Sequence, residues 1–198
     1  MKKLTPKNKI THNDSFIEKC LKISNSQEEF IALASDEISD LAIDFYNKIG
    51  EIFGVLDLNI SVTREGDVNC RFDATIINPI NSIPIEIKSP REDLEINIKA
   101  IRQAFENKIV ILSRGFFPTT AETTSLAIAF AYPPSRSDVY ELIEDIKQAF
   151  SVNIGIINVA DLLYLVYEHK VNNRVLDTEY MFNFSGKFDR EKAFHKND

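Results

Sequence analysis

The chain is short of cysteine, histidine, glycine, long apolar runs and net positive charge, and each shortage closes off a class of function. Cys20 and Cys70 are the two cysteines in 198 residues, too few for a disulfide framework. Cys70 falls on the apolar face of an expected strand with Val68 and Phe72, the setting of a buried small hydrophobe. His12, His169 and His195 have no ligand spacing, so neither a zinc site nor histidine-based hydrolysis is supported. Six scattered glycines make no phosphate-cradling loop, which argues against a nucleotide hydrolase. No apolar run reaches membrane-spanning length, and none comes after the basic N-terminus (Lys2, Lys3, Lys7, Lys9). The expectation is a cytoplasmic protein with no membrane partner.

Net charge is −7, which disfavours a nucleic-acid ligand until its distribution is read. Residues 1–27 carry a balance of +4, residues 28–67 one of −8, and residues 68–114 one of +1. Acids gathered on one helix leave room for a basic face elsewhere.

The apolar fraction, 44%, suffices for one sizeable core. Residues 1–27 read as a polar N-terminal extension with a short helix at Ser15–Ile23. Phe30, Leu33, Ala34, Ile38, Leu41, Ala42, Phe45, Ile49, Ile52 and Phe53 fall on one helical stripe, which predicts a single helix over 28–53 capped by Gly54. Strands are expected at 56–63, 68–77 and 83–87, then a helix over 94–107. The apolar run 109–113 reads as a parallel strand, and 114–124 as a Thr-rich loop. Next come a strand at 125–132, a helix at 138–150 opened by Asp138 and Glu141, a strand at 153–158 and a helix at 159–170. This order makes an α/β domain over 28–172, a mixed β-sheet flanked by helices, with 173–198 a partly disordered tail.

The stretch Arg71-Phe-Asp-Ala-Thr-Ile-Ile-Asn-Pro-Ile-Asn-Ser-Ile-Pro-Ile-Glu-Ile-Lys88 is the most informative. On its second strand Ile83, Ile85 and Ile87 face one way, while Glu86 and Lys88 share the other. The turn at 78–82 folds the first strand back and lets Asp73 join Glu86. Two carboxylates and an ammonium on one face are costly to desolvate unless something compensates, and a divalent cation would. The competing reading is a solvated strand face with a surface ion pair of little worth.

Asp73 with Glu86-Ile87-Lys88 resembles the signature of the PD-(D/E)XK nuclease superfamily, the restriction-endonuclease-like fold. The 12 residues between Asp73 and Glu86 fit a hairpin; Phe72 stands where the family has Pro, which leaves the ligand set untouched. The element order over 28–115 is also the family's. The resemblance implies a Mg²⁺ (or Mn²⁺) site formed by Asp73, Glu86 and the Ile87 backbone carbonyl. Magnesium is held by one or two carboxylates, waters and substrate phosphate, and Lys88 would orient or deprotonate the attacking water, its pKa lowered by metal and desolvation. Several families with this fold place a Glu from the first helix beside the metal. Glu37, Asp44 and Glu51 recur every seven residues there, and Glu37, nearest the apolar face, is the candidate.

Lys99, Arg102, Gln103, Lys108 and Arg114 come after the motif and are the candidate DNA contacts. The Gln-X-X-X-Tyr motif of the RecB-like branch is absent, because position 107 is Asn. The second half is similar in topology to the FokI-type cleavage module of Type IIS enzymes. The resemblance thus implies a metal-dependent endonuclease on double-stranded DNA: a Type II or IIS restriction endonuclease, or its cleavage subunit. No DNA-reading motif announces itself, so a homodimer or a partner recognition subunit is expected. The alternative is a catalytically silent DNA-binding or scaffolding protein of the same fold.

Overall fold

A computed structural model describes residues 15–39, 42–63 and 72–195. Its elements run α1 (Phe16–Ile23), α2 (Gln27–Ser39), α3 (Ala42–Val55), β1 (Ile60–Val62), β2 (Ala74–Ile76), β3 (Ile83–Ile87), α4 (Ile98–Arg114), β4 (Ser125–Ala129), α5 (Asp138–Phe150), β5 (Ile154–Asn158), α6 (Val159–Lys170), α7 (Thr178–Asn183) and β6 (Gly186–Lys187). A short 3₁₀ turn, Arg190–Lys192, comes last. The strands form one six-stranded sheet in chain order. β1, β2 and β3 pair antiparallel, and β3 to β6 run parallel. The α/β mixed sheet expected from the sequence is therefore present.

Each face of the sheet has its own core. Ile83, Ile85, Ile87, Leu126, Ile128 and Ile157 pack with Phe30, Ile38, Phe45, Phe53 and Leu162 from α2, α3 and α6. Ala127, Ala129, Ile154 and Ile156 pack with Ala100, Ala104, Val139 and Ile143 from α4 and α5. Helices on both faces explain why the strands read as continuous apolar runs.

Several expected elements are corrected. The helix over 28–53 is two helices, α2 and α3. Ile38 and Phe45 are both buried and lie seven residues apart in the sequence, the spacing of two helical turns, so periodicity alone cannot tell two helices from one. Gly54 lies inside α3; the left-handed residue beyond that helix is Asp57, φ 60°. The expected strand at 109–113 is the last part of α4. Asn97 caps this helix by accepting from the Ala100 N–H, and Gly115 closes it at φ 61°. Ile111 is buried while Ile109 and Leu112 are exposed, a helical pattern and not an alternating one. α5 is capped by Ser137, which accepts from the Val139 N–H, in place of Asp138.

The ends are also better integrated than expected. Ile17 and Cys20 of α1 are buried in the α2–α3 core, and so are Met181, Phe182, Phe184, Phe188 and Phe194 from the expected tail. Asp161 of α6 pairs with Arg190 at 2.5 Å and accepts from the Tyr132 hydroxyl, which ties that segment down. Residues 1–14, the Cys70 strand segment and residues 196–198 lie outside the described residues.

Lys108, a candidate DNA contact, is instead fully buried. Its ammonium donates to Thr119 Oγ1 at 2.9 Å, and Thr119 donates to the Ser82 carbonyl at 2.9 Å. This pins the loop after α4 to the β2–β3 turn. Burial pushes the Lys108 pKa down to about 7. Between pH 7 and the ordinary lysine range the unfolded chain holds a proton that the folded chain has lost, so stability rises with pH across that window and is flat for this group below it. Denaturant midpoints should therefore increase from about pH 7 to about pH 10. Lys108→Met should remove that increase and stabilise the protein at the acid end of the range, and an unchanged pH slope in the variant would contradict the assignment.

Candidate active site

β3 alternates strictly: Ile83, Ile85 and Ile87 enter the α2–α3–α6 core, which forces Glu86 and Lys88 to the α4 side. β2 pairs with β3 in the register Ala74 to Ile85, so Asp73 stands one step further, opposite Glu86. The Asp73 N–H donates to the Ile85 carbonyl at 3.2 Å and its own carbonyl accepts from Thr63 N–H at 2.9 Å. With its backbone carbonyl turned to β1, Asp73 offers its side chain to β3, where Oδ2 accepts the Ile87 N–H at 2.7 Å.

Glu86 and Lys88 are each 4% exposed. Lys88 Nζ lies 2.8 Å from Glu86 Oε1, and Asn107 Nδ2 donates to Glu86 Oε2 at 3.0 Å. Both Glu86 oxygens are thus held, one from β3 and one from α4. Burial, reinforced by the Glu86 charge, pushes Asp73 up to about 7, against the lowering pull of the Ile87 N–H and Lys88. Burial works against the Lys88 ammonium, but the hydrogen bond and charge of Glu86, with Glu92 and Asp73, outweigh it and raise its pKa. Without a cation its carboxylate neighbours outweigh its desolvation; the lowering expected for Lys88 belongs to the cation-bound site.

The first-helix acids do not join this group. Glu37 and Asp44 lie 3.9 Å from Lys48, and Glu51 accepts from Ser15. Glu37 lines a groove with Phe16, Cys20 and Leu33 between α1 and α2, so the candidate fourth ligand is placed elsewhere. α3 reaches the site through Tyr46 instead. The Tyr46 hydroxyl is 2.9 Å from Glu92 Oε2 and 3.3 Å from the Ile87 carbonyl. Glu92 also accepts from the Ser89 N–H and hydroxyl. Tyr46, Glu92 and Asn107 were not legible as site residues; Asn107 had a signal in its position one turn after Gln103 on the inner face of α4.

Of the other candidate DNA contacts, Lys99, Arg102 and Arg114 are exposed on α4. Gln103 is half-buried, and its Oε1 is buried without a hydrogen-bond partner. Lys108 is turned inward on Thr119.

Asp73, Glu86 and the Ile87 carbonyl form an all-oxygen donor set, which suits a hard cation such as Mg²⁺. The raised Asp73 pKa comes first from burial and then from the Glu86 charge, and a bound cation would offset both. Among the described residues no group of three or more His, Cys, Asp or Glu side chains converges, so waters and a substrate phosphate would have to complete the shell.

No protein-family model matches the sequence, and no curated protein matches it. Among solved structures, the chain is similar to the restriction endonuclease FokI, with a TM-score of 0.62 at 15% identity over 91% of this chain and 35% of that one. It is likewise similar to FokI bound to DNA, with a TM-score of 0.60 at 15% identity over 91% and 34%. The chain spans about a third of the length of those proteins, and the likeness shows the fold: this mixed sheet and its helices match the FokI nuclease-like arrangement.

Asp73 carries a directional consequence for the metal-free protein. Its folded pKa lies above the ordinary carboxylate value, so the folded chain keeps a proton that the unfolded chain loses between about pH 4 and 7. This contribution to stability falls as pH rises through that window. Asp73→Asn, whose amide oxygen can still accept the Ile87 N–H, should raise the melting temperature at about pH 8 in the presence of chelator and leave it nearly unchanged at about pH 4. A lower melting temperature at the alkaline end would show that the Asp73 carboxylate is not under electrostatic strain.

Proposed function

We propose that the chain is a Mg²⁺- or Mn²⁺-dependent DNA endonuclease, of the Type II or IIS restriction type or the cleavage subunit of such an enzyme, acting in the cytoplasm. The observation that carries this reading is the meeting of Asp73, Glu86 and Lys88 on one sheet face, where hairpin register and not surface chance brings two carboxylates together. FokI is a restriction endonuclease with a solved DNA-bound form, and the shared fold supports the same substrate here.

In this reading Asp73 and Glu86 hold the cation, with the Ile87 carbonyl as a further oxygen. When bound, the ion supplies charge stabilisation at the phosphoryl group and acidifies a water. The chain's own residues do the positioning. Asn107 and Lys88 fix the two oxygens of Glu86, and the Ile87 N–H fixes Asp73, so neither carboxylate has to be ordered at the moment of reaction. Lys88, kept as an ammonium by its neighbours, orients the attacking water and stabilises charge on the phosphoryl oxygens. The exposed cations of α4 (Lys99, Arg102, Arg114) contact backbone phosphates, which positions the duplex without reading its sequence. Gln103, with its orphaned carbonyl oxygen, is a further candidate contact.

Lys88→Ala should lower Mg²⁺-dependent plasmid nicking by at least about 100-fold, in the range of lost acid–base or electrostatic groups. Its circular dichroism and Mn²⁺ uptake should be retained. Wild-type nicking by this variant would remove Lys88 from the mechanism.

Affinity is the second expectation. Residues 28–198 carry a balance of −11, and burial of Lys108 withdraws one cation from the few near the site. Each phosphate contact contributes a salt-dependent increment, so the lone chain should bind DNA weakly. A homodimer or a separate recognition subunit would supply the missing contacts. Cleavage by the purified chain should rise steeply with protein concentration or on adding a recognition partner. Efficient sequence-specific cleavage by the monomer at physiological salt would overturn this, and would point to loop 115–124 as the reading element.

A further inference from the structure

Between α3 and the segment leaving β3 lies a hydrogen-bonded group that neither the sequence motif nor the fold comparison assigns. Glu92 Oε2 accepts from the Ser89 N–H at 3.0 Å, the Ser89 hydroxyl at 3.1 Å and the Tyr46 hydroxyl at 2.9 Å. The same Tyr46 oxygen sits 3.3 Å from the Ile87 carbonyl oxygen. A phenol has one proton and two acceptors compete for it here. The shorter, charge-assisted contact to Glu92 takes that proton by preference. The Ile87 carbonyl therefore keeps a lone pair that faces a hydroxyl oxygen already committed elsewhere. Residues 87 to 92 carry Lys88 and the carbonyl of Ile87, and this group closes them into a turn anchored to the opposite face of the sheet.

We propose that Tyr46 and Glu92 are positioning residues for the cation site, acting as one latch. Glu92, held by Ser89, takes the Tyr46 hydrogen bond and fixes the phenol, whose oxygen then bounds the Ile87 carbonyl on one side without hydrogen-bonding it, while the Glu92–Ser89 contacts set the path of the chain through Lys88. The inference rests on the nuclease reading above and deepens it: the first helical segment reaches the site through a phenol, Tyr46, held by Glu92 of the loop after the motif. Glu92 is not a ligand in this scheme, in keeping with the absence of a three-acid cluster among the described residues.

The test is calorimetric titration of Mn²⁺ into the full chain without DNA, with thermal melts run in parallel. Loss of an outer-shell partner weakens metal sites by about 10–100-fold. Tyr46→Phe and Glu92→Gln should each weaken Mn²⁺ binding about tenfold at a temperature where both remain folded. The double variant should be no weaker than either single one, because residues acting through each other are not additive. Tyr140→Phe, whose hydroxyl donates to the Pro133 carbonyl and to no residue of the site, should bind Mn²⁺ as the wild type does. Glu92 lies in an exposed loop, so Glu92→Gln keeps the test available if Tyr46→Phe is unstable. Wild-type affinity in both single variants, or additive losses in the double one, would overturn the latch while leaving the nuclease reading intact. No Mn²⁺ uptake by the wild type would overturn that reading, and the latch with it.

Discussion

The register of one hairpin constrains everything else in this site. Once Ala74 is paired with Ile85, Asp73 must stand opposite Glu86, and the alternation of β3 puts Lys88 on the same side. A shift by one residue would send Glu86 into the α2–α3–α6 core and three isoleucines out of it. The apolar side of β3 therefore enforces the polar side: burial of Ile83, Ile85 and Ile87 is what keeps two carboxylates together against their repulsion. Such an arrangement is less stable than a well-packed apolar one. That it is tied on every side, by Asn107, the Ile87 N–H and Tyr46, is what geometry maintained for use requires.

The surrounding architecture serves the same end. The site lies where β3 passes from its antiparallel neighbour to its parallel one, at the carboxyl ends of the parallel strands, where open α/β sheets bind their ligands. α4 approaches from one face with Asn107 and α3 from the other with Tyr46, so the site on the interior strand β3 is braced from both faces of the sheet. The C-terminal segment is anchored by its phenylalanines and by the Asp161–Arg190 pair, and it completes the core that fixes α3. Stability and site geometry thus share residues that are distant in sequence.

This division explains what the sequence made legible. The motif residues were readable because they break a period-two apolar pattern, a signal local to one strand. Glu37 was misplaced because periodicity gives a helix face but not what lies across from it; Lys48, on the neighbouring helix, captures that acid and Asp44 alike. The run Ile109–Ser113 looked like a strand because β-branched composition outweighed helical phase, and the stop signal, Gly115, lies just past it. Lys108 read as a DNA contact because a lysine is exposed by default, and only the Thr119–Ser82 chain of hydrogen bonds shows why it is not. Tyr46 and Glu92 were illegible in principle: one meets the site through a pairing remote in the chain, the other through a turn whose closure no single-sequence pattern specifies.

The electrostatics carry a last implication for how metal and substrate would arrive. Asp73, Glu86 and Glu92 confront a single nearby ammonium among the described residues, Lys88, so the bare site repels a phosphate and does not attract one. The cations that could draw in a duplex (Lys99, Arg102, Arg114) sit on the outer face of α4 and leave the reaction centre itself negative. A phosphodiester could approach Lys88 favourably only with a divalent cation between it and the two carboxylates. Metal and DNA binding should then be mutually reinforcing, as linkage requires of two ligands that neutralise each other's charge in one site. In the nuclease reading, few surface cations and a site held by Glu86, Glu92 and a proton-retaining Asp73 make the bound cation, and not the bare chain, the element that admits a phosphate.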